Sequence, residues 1–220
     1  MSRLTLPRIF TIGHSNTSAE EFVEKLDAFG IETLVDVRSH PGSRHVPWTN
    51  KDSLISLLGD RYVWMPELGG PTSGPYSDIN NFPKHHIGKV RPEFKKVKEE
   101  DRPNTWWNQG LFDYGVWIGE SNSFFGGLLY LANLPTAAIC CSEALWWKCH
   151  RSMISDVWSA LGGEVVHIFA PKKSASHPSG ESLKSRLDRY EEPTLEAISR
   201  FKFAMDSWNS GIDKLSPSMV

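Results

Sequence analysis

The segment Thr33-Leu34-Val35-Asp36-Val37 limits the fold more than any other stretch of the chain. It is almost continuously apolar, with no alternation of inner and outer residues, and such a run belongs in a strand covered on both faces, as in a parallel sheet. Parallel strands need crossovers, and one lies just upstream. Arg8 to Ile12 is a short apolar run that ends at Gly13. Ser18 and Glu21 have the spacing of a capping box, in which each side chain satisfies a free backbone N–H at a helix start. Phe22, Leu26 and Phe29 recur at i, i+4 and i+7, and Gly30 can take the left-handed conformation that closes a helix. Strand, helix and strand within about 30 residues make a βαβ unit with the usual right-handed crossover.

The pattern continues downstream. Leu54, Ile55, Leu57 and Leu58 predict a short helix closed by Gly59, followed by a strand at Tyr62 to Met65. Pro66 to Gly74 is loop by its Pro and Gly content. From there to about Gly127 the periodic signals fade among Pro, Asn and the aromatics Trp106, Trp107, Phe112, Tyr114 and Trp117, so residues 71–127 read as a Trp-rich insertion, a lid or subdomain. Leu128 to Leu134 predicts a helix and Thr136 to Cys141 a buried strand. Met153, Ile154, Val157, Trp158 and Leu161 form one apolar helical stripe, ended by Gly162-Gly163, and Val165 to Phe169 is the next strand. Residues 171–190 read as a linker. Within 191–220, Leu195, Ile198, Phe201, Met205 and Trp208 predict a C-terminal helix that packs on the domain or pairs with a second copy as a homodimer. The expected fold class is α/β, a mainly parallel, open, Rossmann-like sheet flanked by helices in a single domain over 1–170.

Composition narrows the function classes. Hydrophobic residues at 40% and charged residues at 23% suffice for one packed core, which excludes disorder across the whole chain. A net charge of −2 argues against coating nucleic acid by bulk electrostatics. The stretch from Lys84 to Arg102 is locally basic, as a solvated helix face or a phosphate-facing edge would be. Three cysteines, two of them adjacent at Cys140 and Cys141, make no disulfide framework. The amino terminus lacks a long apolar core and no apolar run approaches the ~20 residues of a membrane span, so a reducing cytoplasm is the expected location and no membrane partner is expected.

Polar clusters fall where the strands should end, which is where open parallel sheets bind ligands. They are Gly13-His14-Ser15-Asn16, Asp36 to Arg44, Pro66-Glu67-Leu68-Gly69-Gly70, Cys141-Ser142-Glu143, and Cys149-His150-Arg151-Ser152 at a helix start. Asp36 and Arg38 face the same side of a strand, and a carboxylate inside an apolar run needs a donor. Arg151 and its helix start suit an anion. Cys149 at that position favours thiolate and is a candidate nucleophile, with His150 or His14 as partner. Glu143 with His14 is an equal candidate for general acid–base work. The candidate catalytic residues are thus His14, Glu143, Asp36 and Cys149, and the candidate substrate-binding residues Ser15, Asn16, Arg38, Arg44, Glu67, His150 and Arg151. No C-x-x-C, H-x-x-H or H-E-x-x-H spacing marks a metal site, so no metal ligand is expected. No G-x-G-x-x-G or P-loop pattern appears, which disfavours NAD and ordinary nucleotide-triphosphate folds and leaves the cofactor unknown.

These motifs, with Thr11-Ile12 before the first, Pro41, Ser43 and Arg44 after the second and Glu164-Val165-Val166-His167-Ile168 at the close, resemble the prokaryotic domain-of-unknown-function family 488, DUF488, over roughly residues 8 to 169. The resemblance implies an α/β domain with the motifs in one cleft and no assigned reaction. Asp36-Val37-Arg38 also resembles a rhodanese-type strand end, although the loop from Cys141 to Arg151 is too long for that fold's catalytic loop. Three readings result. The first is an enzyme that hydrolyses or transfers a group on an anionic substrate, a nucleotide or nucleic-acid component. The second is a non-catalytic nucleic-acid-binding module for DNA repair or defence, using the Lys84–Arg102 run with Trp106 and Trp107. The third is Cys-dependent, rhodanese-like thiol chemistry.

Overall fold

The computed structural model describes residues 5–69 and 109–209. Its strands β1 (Ile9–Gly13), β2 (Thr33–Asp36), β3 (Tyr62–Trp64), β4 (Ala137–Cys141), β5 (Val165–Ala170) and β6 (Lys173–Ser176) form one sheet in the order β3-β2-β4-β1-β5-β6. Every neighbouring pair is parallel except β5 with β6. The helices are α1 (Ala19–Ala28), α2 (Lys51–Leu58), α3 (Gln109–Glu120), α4 (Asn122–Leu131), α5 (Arg151–Ala160), α6 (Gly180–Leu187) and α7 (Glu192–Asn209). The fold is the expected α/β sheet flanked by helices. Among the described residues no helix is long and apolar enough to cross a membrane.

Strand alternation distributes the core over two faces. Phe10, Ile12, Leu34, Ala138 and Cys140 meet Phe22 and Leu26 of α1 and Leu54 and Leu58 of α2 on one side. Ile9, Val35, Ala137, Ile139 and Cys141 meet α3, α4, α5 and α7 on the other. Each fully buried Phe or Leu side chain contributes about 1.5–3 kcal/mol, so both faces are needed to hold the sheet.

Local signals act as their chemistry requires. Ser18 accepts from the Glu21 amide at 3.2 Å and the Glu21 carboxylate accepts from the Ser18 amide at 3.4 Å, completing the capping box. Gly30 takes φ +61° after α1. On α5, Met153, Ile154, Val157, Trp158 and Leu161 are all buried, as the stripe requires.

The structure differs from the sequence reading in three places. The helix expected from Leu128 begins at Asn122, where Ser121 caps it by accepting from the Phe124 amide, and it ends at Leu131. Tyr114 and Trp117, placed by weak periodicity in the insertion, are buried on α3 against Phe124. The stretch 171–190, read as a linker, holds β6 and α6. All four β6 residues are exposed, so an edge strand with no inward face left no hydrophobic alternation to read. Helix α7 packs on α3 and buries Ile198 and Met205, while Trp208 is exposed. The basic run Lys84–Arg102 and the pair Trp106-Trp107 lie outside the described residues.

Candidate functional site

A cleft of about 440 Å³ opens at the carboxyl ends of the parallel strands, lined by His14, Arg38, Ser39, His40, Gly42, Ser43, Gly69, Ser142 and His150. No carboxylate is among these lining residues. The sheet order explains the gathering: β4 lies between β1 and β2, so the loops after all three strands open side by side.

Arg38 is the buried cation of this floor. Asp36, fully buried, accepts from Arg38 Nε at 2.8 Å, from Arg38 Nη2 at 2.6 Å, from the Arg38 amide at 3.0 Å and from Tyr62 Oη at 2.9 Å. The donor that the lone carboxylate of β2 required is thus its own neighbour two residues on. Burial first, then Asp36, raises the Tyr62 hydroxyl, which keeps it a donor. Arg38 Nη2 also donates to the Thr49 carbonyl at 2.7 Å, and Nη1 lies 3.2 Å from His14 Nε2.

His14 is held in one tautomer. Its Nδ1 lies 3.0 Å from the Ser15 carbonyl, which can only accept, so Nδ1 carries the hydrogen and Nε2 accepts from Arg38. Burial, with the charges of Arg38 and Arg151 adding, lowers His14 from its ordinary value. A neutral His14 with both nitrogens engaged orients Arg38 and has no lone pair spare for proton transfer. Of the hydrogens on the Arg38 guanidinium, one on Nη1 has no acceptor among the described residues. Ser43 Oγ accepts from the Val46 amide at 3.0 Å, which leaves its hydroxyl hydrogen to donate as well.

Main chain closes the other side. A Cβ on Gly13 would stand 2.0 Å from the Glu143 carbonyl oxygen, so only glycine fits where β1 meets the loop after β4. That same carbonyl accepts from Arg151 Nη2. Arg151 is 1% exposed, and its Nε has no hydrogen-bond partner among the described residues. Glu143 acts here through its backbone. Its carboxylate is on the surface, accepting from the Leu145 amide at 3.1 Å.

Beside this wall lies a corner of sulfur and imidazole. His150 Nδ1 is 3.7 Å from Cys149 Sγ and 4.0 Å from Cys141 Sγ. A hydrogen bond from the Cys141 thiol, with Arg151 adding its charge and burial opposing, brings Cys149 down to about 6. The same hydrogen bond, with burial, pushes Cys141 up to about 12. The His150 ring lies 5.2 Å from that of Tyr114, whose hydroxyl donates to the Leu68 carbonyl at 2.7 Å.

Behind the corner runs a buried polar chain that sequence reasoning missed. Asp156 accepts from Arg186 Nε at 2.5 Å, from Arg186 Nη2 at 3.0 Å and from Tyr190 Oη at 3.0 Å, and it lies 2.8 Å from His177 Nε2. His177 Nδ1 is 3.0 Å from His167 Nε2, and His167 Nδ1 is 2.8 Å from Thr11 Oγ1. The acceptor-only carboxylate makes His177 Nε2 the donor to Asp156. Trp146 stacks on His167 at 3.9 Å. The available signal was Asp156 itself, a charge inside the apolar stripe of α5.

The structure therefore brings His14, Arg38 and His150 into the cleft, with Asp36, Cys149 and Arg151 buried around it. Ser15 is half-buried at φ +47°, its amide donating to the Ser142 carbonyl at 3.0 Å. Asn16 and Arg44 are exposed, Glu67 is half-buried, and none of the three lines the cleft.

Compared with curated proteins and with solved structures, the chain matches none. The family described as "Domain of unknown function DUF488" matches residues 18–158. That span holds Asp36-Val37-Arg38, Cys141-Ser142-Glu143 and Cys149-His150-Arg151-Ser152, whereas Gly13 to Asn16 and Glu164 to Ile168 lie just outside it. With the motifs that build the floor and the sulfur corner inside the matched span, the chain belongs to the DUF488 family.

Proposed function

We propose that this protein is an enzyme that binds an anionic substrate, a nucleotide or nucleic-acid component, in the cleft and hydrolyses it or transfers a group from it. The observation that carries the reading is the lining: among the described residues it holds one buried Arg38 with an unspent N–H, hydroxyls from Ser43 and Ser142, imidazoles, and no carboxylate. Such a surface favours a phosphate or carboxylate group and disfavours a cation. The chemistry falls to the corner of Cys141, Cys149 and His150 at the edge of the cleft, since Glu143 points to solvent and both His14 nitrogens are engaged.

The test begins with binding. Inorganic phosphate, pyrophosphate and a mononucleotide are titrated into the protein by calorimetry, and substrates bearing phosphomonoester, phosphodiester and anhydride bonds are screened for turnover. Arg38→Lys keeps a charge beside Asp36 but loses the fork, so its anion affinity is expected to fall at least about tenfold. Saturable binding of none of the three anions, or unaltered binding by Arg38→Lys, overturns the reading.

A further inference from the structure

We infer that Cys141, Cys149 and His150 form a binding site for a divalent metal ion of the zinc class, with the fourth ligand position left to a water or to a substrate atom in the cleft. The three donor atoms lie within 4.8 Å of one another. A tetrahedral site with Zn–S near 2.3 Å and Zn–N near 2.0 Å has a sulfur-to-nitrogen edge of about 3.5 Å. The edges here are 3.7 Å and 4.0 Å, so closure around an ion asks for shifts of a few tenths of an ångström.

The donors sit on backbone that is already fixed. Cys141 ends β4, and the backbone around it is paired with β1 through the His14 amide. The Cys149 amide donates to the Trp146 carbonyl at 3.2 Å, and the Cys149 carbonyl accepts from the Ser152 amide at 2.9 Å. His150 caps α5 and leans on Tyr114. The ligands span ten residues of chain, Cys141 to His150, and their spacing matches none of the metal-site signatures.

The sulfurs face His150 Nδ1, so an ion held there leaves Nε2 carrying the ring hydrogen, buried and without a hydrogen-bond partner among the described residues. Two thiolates and one imidazole also match the donor set of three-ligand catalytic zinc, whose remaining vertex stays open. Ser142 and His150 both line the cleft, so the open vertex borders the place where the anion is proposed to sit. The adjacent Cys140 is excluded by strand alternation, since it packs with Phe22 and Leu26 on the opposite face.

Occupancy of the site stands on the donor geometry alone; only a use of the metal in turnover rests on the proposed function. The experiment titrates Co²⁺ alone, without oxygen, into reduced full-length protein, with Zn²⁺ as competitor. One equivalent of Co²⁺ is expected to give a near-ultraviolet thiolate charge-transfer band and the intense visible bands of tetrahedral cobalt, both abolished by Zn²⁺. Cys141→Ser and Cys149→Ser should each lose the charge-transfer intensity of one thiolate and weaken Zn²⁺ more than about tenfold. His150→Gln should weaken Zn²⁺ similarly while keeping the thiolate band, and Cys140→Ala should titrate like the parent. Circular dichroism in the presence of a chelator confirms that each variant is folded. Absence of a thiolate–cobalt band in the parent protein, or parent-like titration by the two serine variants, overturns the inference. Neither result bears on anion binding at Arg38, so the two readings fail separately.

Discussion

Asp156→Asn tests whether the buried chain from Thr11 to Asp156 holds the carboxyl-terminal part of the molecule in place. The substitution keeps the shape and changes the hydrogen-bond capacity. Asp156 has 1% side-chain exposure and faces four donors: His177 Nε2, Arg186 Nε, Arg186 Nη2 and Tyr190 Oη. An asparagine offers one accepting oxygen, and whichever way it turns its NH₂ group faces an Arg186 nitrogen, which can accept nothing in return. Two buried donors that lose their acceptor cost about 1–3 kcal/mol each, and the Arg186 guanidinium, 14% exposed, loses the counter-charge of Asp156. Removing one member of a buried pair costs about 3–5 kcal/mol, which agrees with that sum. A domain of this size has about 5–15 kcal/mol in all, so the change should lower the urea midpoint sharply with little change in slope. A loss below about 1 kcal/mol would refute the assignment of structural weight to this network.

Other outcomes are expected from the same structure. Burial first, then the charges of His177, Arg151 and Arg186, pushes His167 down to about 2, so the folded protein keeps it neutral while the unfolded chain takes up a proton below about pH 6.5. Its contribution is therefore complete above about pH 6.5 and is lost as pH falls toward 2, with a slope of up to about 1.4 kcal/mol per pH unit. Melting temperatures measured against pH should fall less steeply in His167→Gln, and parallel curves would count against the reasoning. Gly13→Ala places a Cβ against the Glu143 carbonyl and should destabilise by about 1–3 kcal/mol in urea, with weakened anion affinity as Arg151 loses its anchor. Ser18→Ala removes the acceptor for the Glu21 amide and should lower stability by about 1 kcal/mol without altering ligand binding.

Legibility in the sequence followed the range of the interaction. The Ser18–Glu21 box, the stripe of α5 and the apolar run of β2 are set by residues within a few positions of each other, and they stand in the structure as read. The insertion of β4 between β1 and β2 depends on pairings more than 100 residues apart, such as Gly13 with Cys141, which no local pattern encodes. For the site, strand-end position was readable and side-chain direction was not. Arg38 and His150 reach the cleft, yet Glu143, at an equally suitable strand end, folds its carboxylate back to Leu145. Asp36 was recognisable as a carboxylate in need of a donor, and its partner proved to be the arginine beside it. The chain of His167, His177 and Asp156 draws on β5, the residue after β6 and α5, so only the anomaly of a buried acid could have hinted at it.

The contact of Gly13 with the Glu143 carbonyl has an evolutionary corollary. A wall built of bare peptide offers mutation no lever, because there is no side chain to trim or extend. The facing rim from His40 to Arg44 is loop, with His40, Gly42 and Arg44 exposed, and tolerates exchange. Diversity of ligand taste among relatives of this chain should accordingly be written on that rim, and grafting the loop between two of them should transfer preference without disturbing the sheet beneath.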